Sequence, residues 1–106
     1  MPSPDSQRVL PLKGEIDLHV SPRLESSLVS MIAKRPEHVV VDLSGVTFID
    51  SSGLAVLIKA MQDVKEYGGK FALAGLNNNL RSIFEMARLD QVFLIDPRDD
   101  ELFAAN

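Results

Sequence analysis

An acid, two hydroxyls and a glycine stand together at Asp50, Ser51, Ser52 and Gly53, and they are the residues of this chain best placed to do chemistry. They follow an apolar run and precede a long amphipathic pattern, which predicts a strand-to-helix turn. The first N–H groups of a helix lack partners within it, and the amino end carries partial positive charge, so such a turn accepts anions. A phosphate on either serine would add about −1.5 to −2 charges at this point.

Two interpretations of the turn compete. In the structural one, Asp50 and Ser51 only cap the helix, and Gly53 relieves crowding in its first turn. In the functional one, Ser51 accepts a phosphoryl group, while Asp50 orients the hydroxyl and later repels the attached phosphate. The turn follows a strand, at the edge where open α/β sheets usually place their sites. The residue types alone favour the structural interpretation.

Composition narrows the classes of protein that this chain can represent. It has 106 residues, 45% of them apolar, which predicts a single domain over residues 1–106 with residues 1–7 loosely held. The net charge is −4 without a basic block, so we expect no nucleic-acid partner. Cysteine is absent and the two histidines, His19 and His38, are far apart, so we expect no metal and no cofactor.

The chain shows no membrane or export signal. It begins without a basic, apolar leader, and no apolar run approaches the roughly 20 residues of a membrane span. We therefore expect a cytoplasmic protein with no membrane partner.

Strand-like and helix-like patterns alternate along the chain. Short β-branched or apolar runs predict strands at residues 8–13, 39–43, 71–74 and 92–95. Helical spacing predicts helices at residues 21–35, 51–67, 80–87 and 99–105. This order predicts an α/β fold with about four mostly parallel strands covered by about four helices and joined by right-handed crossovers.

Several residues carry more local expectations. Pro11 predicts that the first strand lies at an edge, and Gly14 should end it. Ser21 should cap the first helix, with Pro22 at its first position. Met31, Met61 and Met86 lie at helical core spacing and should fill the core. At least one of two apolar residues near the acidic turn, Leu54 and Ala55, should be partly exposed if the turn is a docking site.

Three segments in order resemble the STAS domains of bacterial anti-sigma factor antagonists. They are Gly-Glu-Ile-Asp at residues 14–17, Val-Asp-Leu-Ser-Gly-Val at residues 41–46, and Phe-Ile-Asp-Ser-Ser-Gly-Leu at residues 48–54. Residues 80–89 are similar to the penultimate helix of that family, so the resemblance covers about residues 8–96. It implies a small STAS-type sheet.

The resemblance implies a partner-switching role in signal transduction and transcription regulation. In that family an anti-sigma factor that is also a serine kinase phosphorylates the serine after the aspartate, which makes Ser51 the expected acceptor, with Ser52 as fallback. The unphosphorylated protein binds the kinase, phosphorylation releases it, and a PP2C-type phosphatase resets it. Asp17 matches an acidic residue near the acceptor. The expected partner-binding residues are Asp17, Asp50, Ser51, Ser52, Gly53, Leu54 and Ala55.

Two features depart from the family pattern. The first strand of the usual amino-terminal hairpin is expected to be missing, which leaves a sheet edge exposed or paired in a homodimer. Arg88 stands where the family usually has glycine, so the preceding helix should end differently.

Two further classes of function remain as alternatives. STAS-like domains also serve as constitutive interaction subunits of membrane transport systems. An enzyme is disfavoured, because Ser51 has no evident base and neither a nucleophile elbow nor a phosphate-binding loop is present.

Overall fold

The computed structural model describes residues 7–95, which form an α/β domain. The strands are β1 (Gln7–Ile16), β2 (His38–Ile49), β3 (Lys70–Ala74) and β4 (Leu94–Ile95). The helices are α1 (Ser21–Ile32), α2 (Ser51–Glu66) and α3 (Asn78–Met86), followed by a 3₁₀ turn (Leu89–Gln91). The predicted fold class is confirmed. The helix expected at residues 99–105 lies outside the described residues, as do residues 1–6.

The four strands are parallel and lie in the order β1-β2-β3-β4. Each connection therefore advances in the same direction across the sheet. Right-handed crossovers that never reverse direction place their helices on one face of the sheet. We call this the helical face, and its opposite the second face.

The core lies between the helical face and the helices. Alternate residues of β2, Val39, Val41 and Leu43, are fully buried there. The buried apolar side chains of all three helices join the same cluster. Residues Leu57 and Val64 of α2 are 0% exposed, so burial of its apolar stripe fixes this helix on the sheet.

The first two elements differ in detail from the sequence prediction. Gly14 does not end β1; it lies at an irregularity in the ladder with φ of 80°, and the strand continues to Ile16. Ser21 does not cap α1, because Val20 occupies the cap position and makes no side-chain cap hydrogen bond. Ser21 is instead a buried first residue of the helix.

The last two elements also differ. Strand β4 spans only Leu94–Ile95, because Val92 and Phe93 close the 3₁₀ turn through N–H groups that donate to the Leu89 carbonyl. Met86 was predicted to be core and is 85% exposed, since it is the final residue of α3 and lies beyond the buried pair Leu80 and Phe84.

Helix α3 ends as a glycine-capped helix does, although the residue is arginine. Arg88 has φ of 59° in the left-handed region, and the 3₁₀ turn begins directly after it. The left-handed conformation costs an L-residue about 1–2 kcal/mol. The expectation that Arg88 makes this helix end differently is therefore wrong: the backbone follows the path that a glycine would give, with a strained residue in its place.

Strand β1 lies at the edge of the described sheet. It is the first strand within residues 7–95. It begins at Gln7, a residue that was expected to be loosely held. None of the described helices is long and apolar enough to cross a membrane.

Candidate functional site

The sharp turn between β2 and α2 is built around the carboxylate of Asp50. This residue has extended backbone geometry and is the N-cap of α2. Its Oδ1 accepts hydrogen bonds from the backbone N–H groups of Ser52 (2.9 Å) and Gly53 (3.2 Å). The cap therefore satisfies two of the free donors at the helix start, as the structural interpretation predicts.

The same carboxylate distinguishes the two serines. The Ser52 hydroxyl donates to Asp50 Oδ1 at 2.6 Å, and Ser52 is half-buried. Ser51 is exposed, and within residues 7–95 the structure gives its hydroxyl no hydrogen bond. Asp50 thus holds Ser52 and leaves the oxygen of Ser51 open to an incoming group.

Gly53 allows α2 to begin close to the ends of two strands. A Cβ at this buried position would lie 2.7 Å from Ile49 Cγ1 and 2.8 Å from Ile16 Cγ2. No side chain fits without displacing the isoleucines. Gly53 therefore contributes to the site by positioning the first turn of the helix.

The loop after β1 lies beside the turn. Ile16 and Ile49 are partners in the β1–β2 ladder, and the Asp50 N–H donates to the Ile16 carbonyl at 3.0 Å. Asp17 and Asp50 therefore follow adjacent strand ends. Asp17 is half-buried, and its Oδ1 accepts from the His19 N–H at 3.0 Å. The structure brings this predicted residue to the same edge of the sheet as the turn.

Hydrogen bonding stabilises the charged form of Asp50. The Ser52 hydroxyl contributes most, desolvation opposes it, and the N–H groups of Gly53, Ser52 and Leu18 add to it. Together they lower the pKa of Asp50 below its ordinary value of 3.8. The turn therefore carries a fixed negative charge at neutral pH.

Apolar side chains surround the acidic turn on the protein surface. Leu54 is half-buried and Ala55 is exposed, so the expectation that one of them is partly exposed is confirmed. Sequence reasoning missed Leu18, which is 70% exposed in the loop after β1, and Phe48, which is 43% exposed near the end of β2. Periodicity gives no signal for Leu18 because it lies in a loop. Large exposed apolar residues at one edge are typical of a protein-binding surface.

The described region offers no enclosed site at this edge that would compete with a protein-binding surface. A cavity of about 200 Å³ is lined by Arg35, Asp63, Glu66 and Tyr67 near the carboxyl end of α2, at the other end of the helix from Ser51. No group of three potential metal-ligating side chains occurs within residues 7–95. The site is therefore a surface with an acid, an open hydroxyl and apolar neighbours, suited to contact with another protein.

Comparison with known proteins assigns the chain to a family. A family model described as STAS domain matches residues 1–102, and the chain belongs to the STAS domain family.

Relatives of the chain include anti-sigma factor antagonists. It is 30% identical over 88 residues to the anti-sigma F factor antagonist of Paenibacillus polymyxa, covering 82% of this chain and 75% of that protein. A crystal structure of an anti-sigma factor antagonist from Mycobacterium paratuberculosis superposes with a TM-score of 0.81 at 27% identity, over 99% of this chain and 97% of the other. A structure from Thermotoga maritima shares the fold, with a TM-score of 0.82 at 21% identity over 96% and 88% of the two chains.

Proposed function

We propose that this protein is a cytoplasmic anti-sigma factor antagonist that binds a serine kinase/anti-sigma factor when unphosphorylated and is released by phosphorylation of Ser51. The observation that carries the proposal is the contrast between the two serines of the turn. Ser51 is exposed with its hydroxyl open, whereas the Ser52 hydroxyl is held by Asp50. Ser52, the fallback acceptor, is therefore disfavoured by the geometry of the turn as well as by the family resemblance.

The cap geometry explains how a phosphate on Ser51 would act. Asp50 already accepts from the N–H groups of Ser52 and Gly53, so the phosphate would not inherit these donors. Its charge would remain at the surface, close to the carboxylates of Asp50 and Asp17. Bringing this group of anions against a partner without matching cations is costly. A penalty of about 3 kcal/mol weakens binding more than a hundredfold, so no change of fold is required.

The contact surface that we propose extends around Ser51 from the predicted residues Asp17, Asp50, Leu54 and Ala55. The exposed side chains of Leu18 and Phe48 enlarge its apolar part. In this proposal the Asp50 carboxylate caps α2 and binds the Ser52 hydroxyl, and it does not act as a base for Ser51. The protein therefore acts as a substrate and binding partner in this proposal. The kinase supplies the catalytic groups, and a PP2C-type phosphatase removes the phosphate.

Phosphorylation in vitro tests the choice of serine. The protein and its Ser51→Ala and Ser52→Ala variants would be incubated with the anti-sigma kinase encoded in the same genome and ATP, and the phosphorylated residue mapped by mass spectrometry. We expect one phosphate on the unmodified protein and on Ser52→Ala, and none on Ser51→Ala. Phosphate on Ser52 with Ser51 unmodified would contradict the proposal.

The second candidate function is a constitutive interaction subunit of a membrane transport system. A sulfate transporter family protein from Wolinella succinogenes shares the fold, with a TM-score of 0.70 at 18% identity. That likeness concerns the fold alone, whereas the open Ser51 hydroxyl favours the switch. Neighbouring genes distinguish the two: a kinase-like ATPase and a PP2C phosphatase support the switch, and a permease with its ATPase supports the transport role.

A further inference from the structure

A cavity near the carboxyl end of α2 combines an apolar lining with two cationic side chains. It has a volume of about 280 Å³ and is lined by Met61, Lys65, Gly69, Lys70, Phe71 and Val92. Met61 and Phe71 are buried members of the core, whereas Val92 is 46% exposed. The cavity therefore opens from the surface onto apolar side chains of the core.

The two lysines stand on either side of the connection between α2 and β3. Lys65 lies in the last turn of α2 and Lys70 is the first residue of β3. Both are exposed, and within residues 7–95 neither ammonium group has a salt bridge or hydrogen bond. Two acids close in sequence or space, Glu37 and Glu66, line neighbouring cavities with Arg35 and not this one. The lining therefore carries two positive charges and no negative charge.

The backbone of the cavity has no N–H group free for an anion at this connection. The Gly69 N–H donates to the Val64 carbonyl at 2.9 Å, and the Lys70 N–H donates to the Glu37 carbonyl at 2.8 Å. Recognition of a negative charge at the cavity therefore depends on the two lysine side chains. Lysine suits this role, because its apolar stem can lie along the cavity wall while its ammonium group stays at the mouth.

We propose that this cavity binds a small amphipathic anion, a monocarboxylate with an unbranched apolar chain. The chain would lie against Met61, Phe71 and Val92, and the carboxylate would contact Lys65 and Lys70. Small-molecule sites are mostly apolar with a few placed polar groups, as this cavity is. An apolar cavity of about 150 Å³ holds one benzene molecule, so this one admits a chain of about ten carbons.

The proposed ligand site lies apart from the phosphoacceptor turn. Ser51 is the first residue of α2, and Lys65 lies in its last turn, about 21 Å further along the helix axis. A ligand in the cavity therefore leaves Ser51 and its apolar neighbours accessible. Binding of the anion is expected whether or not Ser51 accepts a phosphate.

Titration with sodium decanoate tests the site. The full chain would be labelled with nitrogen-15 and the amide shifts followed by NMR, with decanol and decyltrimethylammonium as ligands of the same chain length without the negative charge. We expect saturable decanoate shifts concentrated at residues 61–71 and 92, and binding of the two control ligands at least about fivefold weaker. No saturable binding, equal affinity for the three ligands, or shifts centred on residues 50–55 would overturn the proposal.

Variants separate the charge of the site from its apolar wall. The double variant Lys65→Gln/Lys70→Gln should bind decanoate at least about fivefold more weakly, whereas Lys13→Gln, exposed on β1, should bind it unchanged. Val92→Asp places a carboxylate in the wall and should abolish decanoate binding, whereas Val29→Asp, at a position 54% exposed on α1, should not. Circular dichroism checks that each variant is folded. Undiminished binding by the folded double variant or by folded Val92→Asp, or equal losses in the controls, would contradict the assignment.

Discussion

At the scale of single residues, Asp50 performs two tasks that a sequence motif cannot separate. It caps α2 through backbone N–H groups and binds the Ser52 hydroxyl, which leaves Ser51 open. The structural and functional interpretations of the turn are therefore compatible. The cap that orders the helix is also what makes the neighbouring serines chemically different.

Replacing Asp50 with Asn tests the charge of this cap. Because the folded-state pKa of Asp50 is lowered, its carboxylate stabilises the fold fully above the ordinary value of 3.8, and this contribution is lost as pH falls through the lower folded-state pKa. We expect the difference in melting temperature between the natural protein and Asp50→Asn to be constant above about pH 5 and to shrink below about pH 4. Thermal unfolding between pH 7 and pH 2 measures it, and a difference independent of pH would contradict the assignment.

Replacing Gly53 with Ala tests the close approach of α2 to the strand ends. The added methyl meets the side chains of Ile49 and Ile16. Overpacking costs about 1–3 kcal/mol, more than the gain of up to about 1 kcal/mol from helix propensity, so we expect the free energy of unfolding to fall by about 1–2 kcal/mol. Urea unfolding measures this. Ser51→Ala, in the same turn and exposed, is the control and should change stability by less than about 0.5 kcal/mol.

At the scale of elements, the sequence predicted the parts that have regular patterns. Helix α2 was placed within one residue of its ends because its apolar stripe, its acidic cap and the following glycines agree. Strand β4 was overextended because Val92 and Phe93 are as apolar as a strand yet lie in a turn bonded to Leu89. The exposure of Met86 was missed because spacing along a helix does not show where the helix leaves the sheet.

The end of α3 offers a stabilising substitution. Arg88 adopts a left-handed conformation that glycine adopts without strain, so Arg88→Gly should raise the free energy of unfolding by about 0.5–1 kcal/mol. Arg35→Gly is the matched comparison, because Arg35 also has a positive φ of 52° but lies over the Tyr67 ring at 5.9 Å from its centroid. Losing that contact should offset the relief of strain. Equal gains from both variants in urea unfolding would contradict this reasoning.

At the scale of the whole molecule, one sheet edge carries the site. The loop with Asp17 and the turn with Asp50 meet there because β1 and β2 are parallel neighbours whose ends are in register. The sequence could predict this juxtaposition only through the family resemblance. It could not predict that Asp50 Oδ1 binds the hydroxyl of Ser52 and not that of Ser51, because this depends on atomic geometry. The sequence also could not predict that the described helices all lie on one face of the sheet, since this follows from the uniform direction of the crossovers.

The affinity of the kinase for the two forms of the protein tests the proposed phosphorylation switch most directly. Unphosphorylated and Ser51-phosphorylated protein would be titrated with the anti-sigma kinase from the same genome by calorimetry, with Ser26→Asp, which adds a negative charge on exposed α1, as the control. We expect more than a hundredfold weaker binding after phosphorylation, an unchanged fold by circular dichroism, and unchanged affinity for Ser26→Asp. Equal affinity of the phosphorylated and unphosphorylated forms would contradict the proposed switch.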